Sequence, residues 1–183
     1  SLIRSKSALN MAYVVYLKLR SLNFNDADIG RFVSRWFVMS ILTGRYSGSA
    51  ETTFDTDVKN IDKQGIEEYL RLLEESNLSD VFWQVGLVRE LDKAGASNPF
   101  LNIFWASQIR DNDKGLLSAD ITVRDMIIHR GDIHHIFPKK YLMSKYKSRK
   151  EYNQIANFAY VQSEINIKIG DKAPVDYFAE LKK

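Results

Sequence analysis

The sequence has no cysteine among its 183 residues. Without thiols it can form neither a disulfide framework nor a thiolate zinc site, so any metal ion must be bound by His, Asn, Asp or Glu side chains. It also lacks an apolar run of the roughly 18 residues that cross a bilayer, because Arg, Lys, Asp or Asn interrupts every candidate. We therefore expect a soluble protein, and the absence of cysteine fits a cytoplasmic location.

A signal-peptide pattern is also absent, and the chain begins Ser-Leu-Ile-Arg-Ser-Lys rather than with Met. We expect the chain to be a portion of a longer protein. Apolar residues make up 45% of the chain. This share can supply the core of one domain of ordinary size, or of one domain with a small appendage.

Apolar periodicity predicts helices in the first part of the chain. In the first helix, predicted over 7–20, four residues recur at i, i+3, i+4 and i+7. They are Leu9, Ala12, Tyr13 and Tyr16. Because this spacing places them on one helical face, we expect that face to pack inward.

The second helix is predicted to begin at Asn25 or Asp26, either of which can cap it, and to stop near Gly44. Its apolar stripe is formed by Ile29, Phe32, Val33, Trp36 and Phe37. Further helical segments are predicted over 55–77, 79–91 and 99–110. We find no internal repeat, so the segment 1–126 is expected to be one helical region.

Two loops have a weak likeness to binding sites. The segment 44–50 is rich in small residues and is either a phosphate cradle with Arg45 or a plain interhelical loop. We favour the plain loop, because no GxxxxGK[ST] pattern is present. The segment 111–115 lacks the later ligands and the terminal glutamate of an EF-hand, so it predicts a turn.

Shorter elements are predicted after residue 120. They are a strand over 132–137, a helical turn over 141–147, a strand over 158–161, a helix over 163–169 and a final helix that Pro174 opens. Pro138 is expected to end the first strand, Ser163 to cap the following helix and Gly170 to stop it. The order is strand, connector, strand, helix.

Two of the three histidines, His134 and His135, lie side by side in the first of these strands. Alternation along a strand places Asp132 and His134 on one face and His135 on the other. Both histidines reach one cleft only if the strand ends or bulges locally. Histidines near strand ends often make only local hydrogen bonds, and we interpret His129 as structural.

Phosphodiester hydrolysis needs a base for water and a cation that neutralises charge on the phosphate. Histidine suits the first role because its unperturbed pKa of about 6.5 lies near the working pH. A second histidine and an amide oxygen can hold a metal ion on one side and leave positions open for phosphate and water. His134, His135 and Asn166 supply that set.

These residues resemble a known motif. The run His135-Ile136-Phe137-Pro138, followed by Asn157 and by Asn166 nine positions later, resembles the HNH (ββα-metal) nuclease motif. The wider sequence also resembles the C-terminal nuclease half of GmrSD-type, modification-dependent restriction endonucleases. The segments that carry this second resemblance are 44–52, 134–138, 155–158 and 171–174.

The resemblance implies a role for each motif residue. His135 would be the general base, His134 and Asn166 would be metal ligands, and Asn157 would fix the connector so that the base is correctly aimed. Many HNH nucleases have Asp where this chain has His134. Because a neutral His adds no negative charge, metal preference is expected to shift toward softer ions, and Asp132 is expected to compensate as a further metal ligand on the same strand face. The expected cofactor is Mg²⁺ or Mn²⁺, with Ni²⁺ or Zn²⁺ as alternatives.

The charge distribution favours a nucleic-acid substrate. Residues 1–130 carry 16 basic and 17 acidic side chains, whereas 131–183 carry 10 basic and 6 acidic. The predicted phosphate-binding residues are Lys139, Lys140, Lys145, Lys147, Arg149, Lys150, Lys168 and Lys172. Such a cluster alone is usually a solvated loop, but beside a phosphodiesterase centre we favour phosphate contact.

The sequence therefore predicts a mainly α fold, with a helical region over 1–126 and a ββα-metal nuclease motif with a C-terminal helix over 127–183, as one compact unit. We expect a metal-dependent endonuclease that cuts DNA in a restriction or phage-defence protein. The resemblance implies an N-terminal, ParB-like, nucleotide-hydrolysing domain outside this chain. The alternatives are a DNA-binding or assembly module that does not cleave, and a helical protein-interaction domain in which the two histidines and Asn166 are dispersed.

Overall fold

The computed structural model describes residues 5–92, 95, 98–129, 131–146 and 148–181, and for Arg149 and Lys150 it describes the backbone alone. As expected, the described elements are mainly helical, with a small two-stranded antiparallel sheet. The chain divides into two compact units, Ser1–Leu87 and Val88–Lys183. Each described helix is too short or too polar to cross a lipid bilayer.

The first unit is built from four long helices. They are α1 (Lys6–Ser21), α2 (Asp26–Leu42), α3 (Ala50–Gln64) and α4 (Ile66–Asn77), and a π-helical segment follows over Phe82–Gly86. Asn25 caps α2 by accepting a hydrogen bond of 2.9 Å from the backbone N–H of Asp28, which confirms one of the two predicted caps. Gly65 separates α3 from α4 with a φ of 84°, a conformation that favours glycine.

Three of the four residues predicted to form the buried face of α1 are exposed. Leu9, Tyr13 and Tyr16 are 49%, 60% and 39% exposed. Ala12 is buried as predicted, and the rest of the buried face consists of Ala8, Met11, Val15 and Leu19. The helix carries two apolar stripes, and periodicity alone does not distinguish them. The buried stripe shares a core cluster with residues of α2, and these helices pack together.

A buried carboxylate joins the helices of the first unit. Asp57 on α3 is fully buried and accepts hydrogen bonds from the guanidinium of Arg45 and from the hydroxyls of Tyr46, at 2.7 Å, and Tyr69, at 2.8 Å. Burial, followed by the hydrogen bond to Asp57, raises the pKa of Tyr46, so this hydroxyl remains a donor. Because Arg45 is directed to Asp57, the segment 44–50 is the plain interhelical loop that we predicted.

We predict that Asp57→Ala lowers the free energy of unfolding by about 3–5 kcal/mol, because Arg45 would lose its buried partner. The control is Asp62→Ala on the same helix, which removes an exposed ion pair with Lys18 and should cost about 0–1 kcal/mol. Urea unfolding followed by circular dichroism measures both changes. Equal losses in the two variants would contradict a special role for the buried carboxylate.

The second unit contains the shorter elements. They are α5 (Leu87–Asp92, which begins in the first unit), α6 (Leu101–Arg110), α7 (Val123–Ile128), β1 (Asp132–His135), α8 (Lys139–Met143), α9 (Arg149–Tyr152), a 3-10 turn (Ile155–Asn157), β2 (Phe158–Val161), α10 (Ser163–Ile169) and α11 (Pro174–Leu181). The predicted motif region 127–183 therefore shares its unit with 88–126. The predicted turn over 111–115 begins with turn residues at Asp111 and Asn112, and Asn112 has a φ of 56°.

One core supports the sheet from α6 and α7. Trp105 on α6 packs edge-on against Tyr160 of β2, with ring centroids 4.7 Å apart, and Phe158 and Met126 lie in the same buried cluster. A second cluster joins Val161, at the end of β2, to the last two helices through Ile169 and Tyr177. Thus β2 has buried partners on both of its ends.

The two strands pair antiparallel in one regular register. Its end pairs are Asp132 with Val161 and His135 with Phe158. The strand β1 ends at His135 rather than at 137, because the side chain of Asn157 takes the next free backbone groups at Phe137. Pro138 then precedes α8, which spans Lys139–Met143 rather than the predicted 141–147, and residue 147 lies outside the described residues.

Three helix predictions also need correction. Ser163 is the first residue of α10 and makes no side-chain cap, because Gln162 occupies the capping position. The segment 79–91 is a π-helical segment followed by α5. The helix α7 was not predicted, although Thr122 and Asp125 form the reciprocal hydrogen bonds of a capping box at its start. Gly170 ends α10 as predicted, with a φ of 55°.

Candidate functional site

His134 and Asn166 meet in the second unit, although they are 32 residues apart in the chain. The strand β1 presents His134, which is 6% exposed, and α10 presents Asn166. The ring nitrogen Nδ1 of His134 lies 2.7 Å from Oδ1 of Asn166. Because a carboxamide oxygen only accepts, Nδ1 donates in this contact. The alternative of dispersed side chains does not predict this contact.

Asp132 contacts the other end of the same amide. Nδ2 of Asn166 donates to Oδ2 of Asp132 over 3.2 Å. Asp132 and His134 are two positions apart on β1, and the strand alternation that we predicted places them on one face. The carboxamide of Asn166 is therefore held between them, with its oxygen toward His134 and its nitrogen toward Asp132. In this arrangement Asp132 orients the amide.

Burial lowers the pKa of the His134 imidazole, the hydrogen bond to Asn166 opposes this effect, and the charge of His135 adds to it. The ring is consequently held toward its neutral form, which is the form that binds metal ions. Its other nitrogen, Nε2, is buried and has no hydrogen-bond partner among the described residues. The ring lies edge-on to Tyr177, with centroids 6.2 Å apart.

His135 makes a separate set of contacts. Its ring packs on Phe158, the residue opposite it in β2, with centroids 4.9 Å apart. Its Nε2 lies 2.9 Å from Oδ1 of Asn153. Within the described part of the chain, no hydrogen bond joins His135 to His134, Asp132 or Asn166. Of the two irregularities that we predicted for this strand, its described pairs show an end at His135 and no bulge.

Asn157 connects the end of β1 to the segment before β2. Its Oδ1 accepts from the backbone N–H of Phe137 at 2.7 Å, and its Nδ2 donates to the carbonyls of Phe137 at 3.2 Å and Tyr152 at 3.0 Å. The side chain is nearly fully buried. All of its hydrogen-bonding atoms thus fix the backbone on both sides of the connector.

Two polar atoms of this site are spaced as neighbouring ligands of one divalent metal ion would be. Nδ1 of His134 and Oδ1 of Asn166 are 2.7 Å apart, near the roughly 2.9 Å between neighbouring ligands of an octahedral ion bound at about 2.0–2.1 Å. The ring nitrogen must release its proton to bind. Groups of three or more His, Cys, Asp or Glu side chains suited to a metal do not occur among the described residues. Asn166, which is outside these residue types, would supply one of the donor atoms in this site.

The described lysines near this site differ in their partners. Lys140 is paired with Asp171 at 2.7 Å, and this hydrogen bond raises the pKa of Lys140. Lys172 is paired with Glu180 at 2.5 Å, and Lys145 lies over the ring of Tyr141 at 4.6 Å and donates to its hydroxyl. Lys139 and Lys168 are exposed and form no ion pair within the described chain. Of the remaining predicted phosphate ligands, Lys147 and the side chains of Arg149 and Lys150 lie outside the described residues.

Three residues that contact the candidate site were not singled out from the sequence. Asn153 contacts His135, Phe158 packs on the same ring, and Tyr177 packs on His134 and donates from its hydroxyl to the carbonyl of Ile136 at 2.7 Å. No sequence spacing identifies Asn153 or Tyr177, because their contacts arise from the path of the connector and from the docking of α11. The pairing of two predicted strands would have indicated Phe158.

Comparisons with known proteins add little about function. An uncharacterized protein of Methanocaldococcus jannaschii is 28% identical over 153 residues, which cover 81% of this chain and 25% of that protein. The matched part of the chain thus spans about a quarter of that relative's length. No family model matches the chain, and no solved structure matches it.

We predict that Asn157→Ala speeds hydrogen exchange at the amide of Phe137 by a factor that corresponds to about 1–3 kcal/mol of lost hydrogen bonding. The neighbouring Gln154 is exposed, so Gln154→Ala serves as the matched control and should leave that rate unchanged. Exchange is measured by NMR on the full chain. Unchanged protection of Phe137 in Asn157→Ala would show that its side chain does not fix this segment.

Proposed function

We propose that the chain is a metal-dependent HNH endonuclease that hydrolyses DNA phosphodiester bonds, and that it is the nuclease part of a GmrSD-like restriction or phage-defence protein. The observation that carries this proposal is the contact of His134 with Asn166, because these are the two residues to which the motif assigns metal binding. The order of the elements from β1 through the connector and β2 to α10 agrees with a ββα-metal motif.

In the proposed reaction His135 accepts a proton from the attacking water. The water oxygen forms a bond to phosphorus, the bond from phosphorus to the leaving oxygen breaks, and that oxygen takes up a proton from solvent. A neutral imidazole suits the first of these steps because it accepts a proton near neutral pH. The half-buried ring is held against Phe158, which limits its rotation.

His134 and Asn166 would hold the divalent ion, Mg²⁺ or Mn²⁺, with Ni²⁺ or Zn²⁺ as alternatives. When bound, such an ion supplies positive charge that stabilises the phosphate oxygens and the leaving oxygen. Asp132 would orient the amide of Asn166 and add negative charge next to the two neutral ligands. We predicted Asp132 as a ligand, and its contact with Nδ2 of Asn166 gives it this neighbouring role in the present arrangement.

DNA is the proposed substrate because basic residues follow His135 in the connector and follow Asn166 at the end of the motif. Lys139 and Lys168 are the strongest candidates for phosphate contact among the described lysines, since neither has a carboxylate to release. Lys140 and Lys172 must first give up their exposed ion pairs, which costs little. Lysines that contact phosphates position the duplex but do not read its sequence.

The main alternative is a module of such a protein that binds DNA without cleaving it. A partner domain is part of the proposal, because the relative in Methanocaldococcus jannaschii is about four times as long as the matched segment. The partner we propose is the N-terminal, ParB-like, nucleotide-hydrolysing domain that the resemblance implies.

We predict that the intact chain nicks or linearises plasmid DNA with Mg²⁺ or Mn²⁺, and that His135→Ala and Asn166→Ala abolish this cleavage. The first variant removes the base and the second removes a metal ligand. His129→Ala is the matched control, because His129 is an exposed histidine that caps α7 away from these contacts, and it should cleave like the intact chain. Equal cleavage by all four proteins would sink the proposed mechanism.

The non-cleaving alternative predicts a different result. Under it the intact chain and all three variants bind plasmid equally, and none cleaves with Mg²⁺, Mn²⁺, Ni²⁺ or Zn²⁺. Calorimetric titration of Mn²⁺ into the same proteins measures their affinity for the metal ion. It therefore distinguishes a variant that cannot bind the metal from one that lacks only the base. Only Asn166→Ala should weaken Mn²⁺ binding.

We predict that Lys139→Ala and Lys168→Ala weaken DNA binding uniformly across sequences. Each lost phosphate contact should reduce the slope of log K against log salt by about 0.9. Lys59→Ala, which removes an exposed lysine from α3, is the control and should leave the slope unchanged. Fluorescence anisotropy with a labelled duplex over a salt series measures the slope. An unchanged slope for both test variants would remove these lysines from the interface.

A further inference from the structure

The side chain of Asn153 touches the proposed base directly. It lies in the connector, between α9 and the 3-10 turn, and is half-buried. Its Oδ1 is 2.9 Å from Nε2 of His135. The resemblance assigns no role to this position, and no sequence pattern identifies it. The contact is therefore a feature of this chain that the motif does not account for.

The chemistry of this contact determines which ring nitrogen carries the proton. A carboxamide oxygen only accepts hydrogen bonds, so Nε2 of His135 must carry the proton when it faces that oxygen. In the neutral ring the other nitrogen, Nδ1, is then unprotonated and has a lone pair available. No described residue forms a hydrogen bond to Nδ1 of His135. This nitrogen is not among the buried polar atoms that lack a partner in the described chain, so it is free to take a proton from water in the proposed reaction.

We propose that Asn153 is the positioning residue of the general base: it fixes His135 as the tautomer with the proton on Nε2 and leaves Nδ1 to take the proton from water. This inference rests on the proposed function, because it assigns the proton-accepting atom of that reaction. Asn153 plays for His135 the part that an outer hydrogen-bond partner plays for other catalytic and metal-binding histidines.

The surroundings of Asn153 give it a fixed place. The carbonyl of the preceding residue, Tyr152, accepts a hydrogen bond of 3.0 Å from Asn157, and Tyr152 itself is 4% exposed. On the opposite side of the contact, the ring of His135 is packed against Phe158. Because the backbone next to the amide and the ring are both held, the hydrogen bond between them has little freedom to reorient.

One rival arrangement makes the opposite prediction. If the amide of Asn153 were reversed, its Nδ2 would donate to Nε2, and the proton of the ring would sit on Nδ1. The substitution Asn153→Asp distinguishes the two, because an ionised carboxylate keeps the acceptor and removes the donor. The proposal expects Asp to replace Asn at this position, whereas the reversed amide does not.

The first test is plasmid cleavage by the full chain with Mn²⁺. We expect Asn153→Ala to lower kcat by about 10- to 100-fold with KM for DNA unchanged, as for loss of an outer partner of a catalytic group. Asn153→Asp should retain cleavage close to that of the intact chain. Gln154→Ala, which removes an adjacent exposed amide, should behave like the intact chain. Thermal unfolding of each variant shows that the changes in kcat occur in folded protein.

The second test does not depend on cleavage. Long-range ¹H–¹⁵N NMR spectra of the chain, labelled with ¹⁵N-histidine and recorded at a pH where the ring is neutral, report which nitrogen of His135 carries the proton. We expect the proton on Nε2 in the intact chain and in Asn153→Asp. A proton on Nδ1 in the intact chain, or a kcat for Asn153→Asp as low as that for Asn153→Ala, would overturn the proposal.

The two tests separate the failure of this inference from the failure of the proposed function. If the intact chain cleaves and Asn153→Ala cleaves equally well, the positioning role is wrong and the nuclease proposal stands. If the intact chain does not cleave DNA, the nuclease proposal fails. In that case the tautomer found by NMR still decides whether Asn153 holds His135 as we infer.

Discussion

The pairing register of β1 against β2 is the constraint on which the candidate site depends. A strand that slips by one residue turns every side chain to the other face, so a slip would move His134 away from Asn166. Only Gln162 separates β2 from α10. The register of the strands therefore also determines the position of Asn166, which lies on α10, relative to His134. The apolar residues of β2 hold this register, since Phe158 packs in one buried cluster of the unit and Val161 in another.

Hydrogen bonds also hold the connector between the strands against the rest of the second unit. Asn157 bonds to the backbone on both sides of it, and the hydroxyl of Tyr177 reaches the carbonyl of Ile136 from the last helix. A long basic loop would ordinarily lose much conformational entropy when it binds a polyanion. Here its ends are already ordered in the folded chain. Under the proposed function, the ordered ends of the connector would hold the phosphate-binding lysines in a fixed position relative to His135.

The sequence predicted the features of the fold that depend on local pattern, and it did not predict those that depend on tertiary packing. The bounds of β2 and the start of α11 at Pro174 follow from alternation and from proline, so they were predictable. The capping box of α7 is also a local pattern, formed by Thr122 and Asp125, although α7 was not predicted. The buried face of α1 was not predictable from periodicity, because two apolar stripes satisfy the same spacing. Asn153 has no local signal, since its partner is 18 residues away.

This chain has His134 at the position where many HNH nucleases have Asp, so the proposed site would have less negative charge around its metal ion. In the proposed site His134 and Asn166 would both be neutral ligands, and the nearby charge of Asp132 is directed at the amide nitrogen of Asn166 rather than at the proposed donor atoms. Hard cations such as Mg²⁺ bind mainly through anionic oxygens and are often completed by substrate phosphates. A site with two neutral donors therefore leaves the phosphate of the substrate to supply much of the negative charge. Since linkage is reciprocal, the metal would then strengthen DNA binding by the factor by which DNA strengthens metal binding.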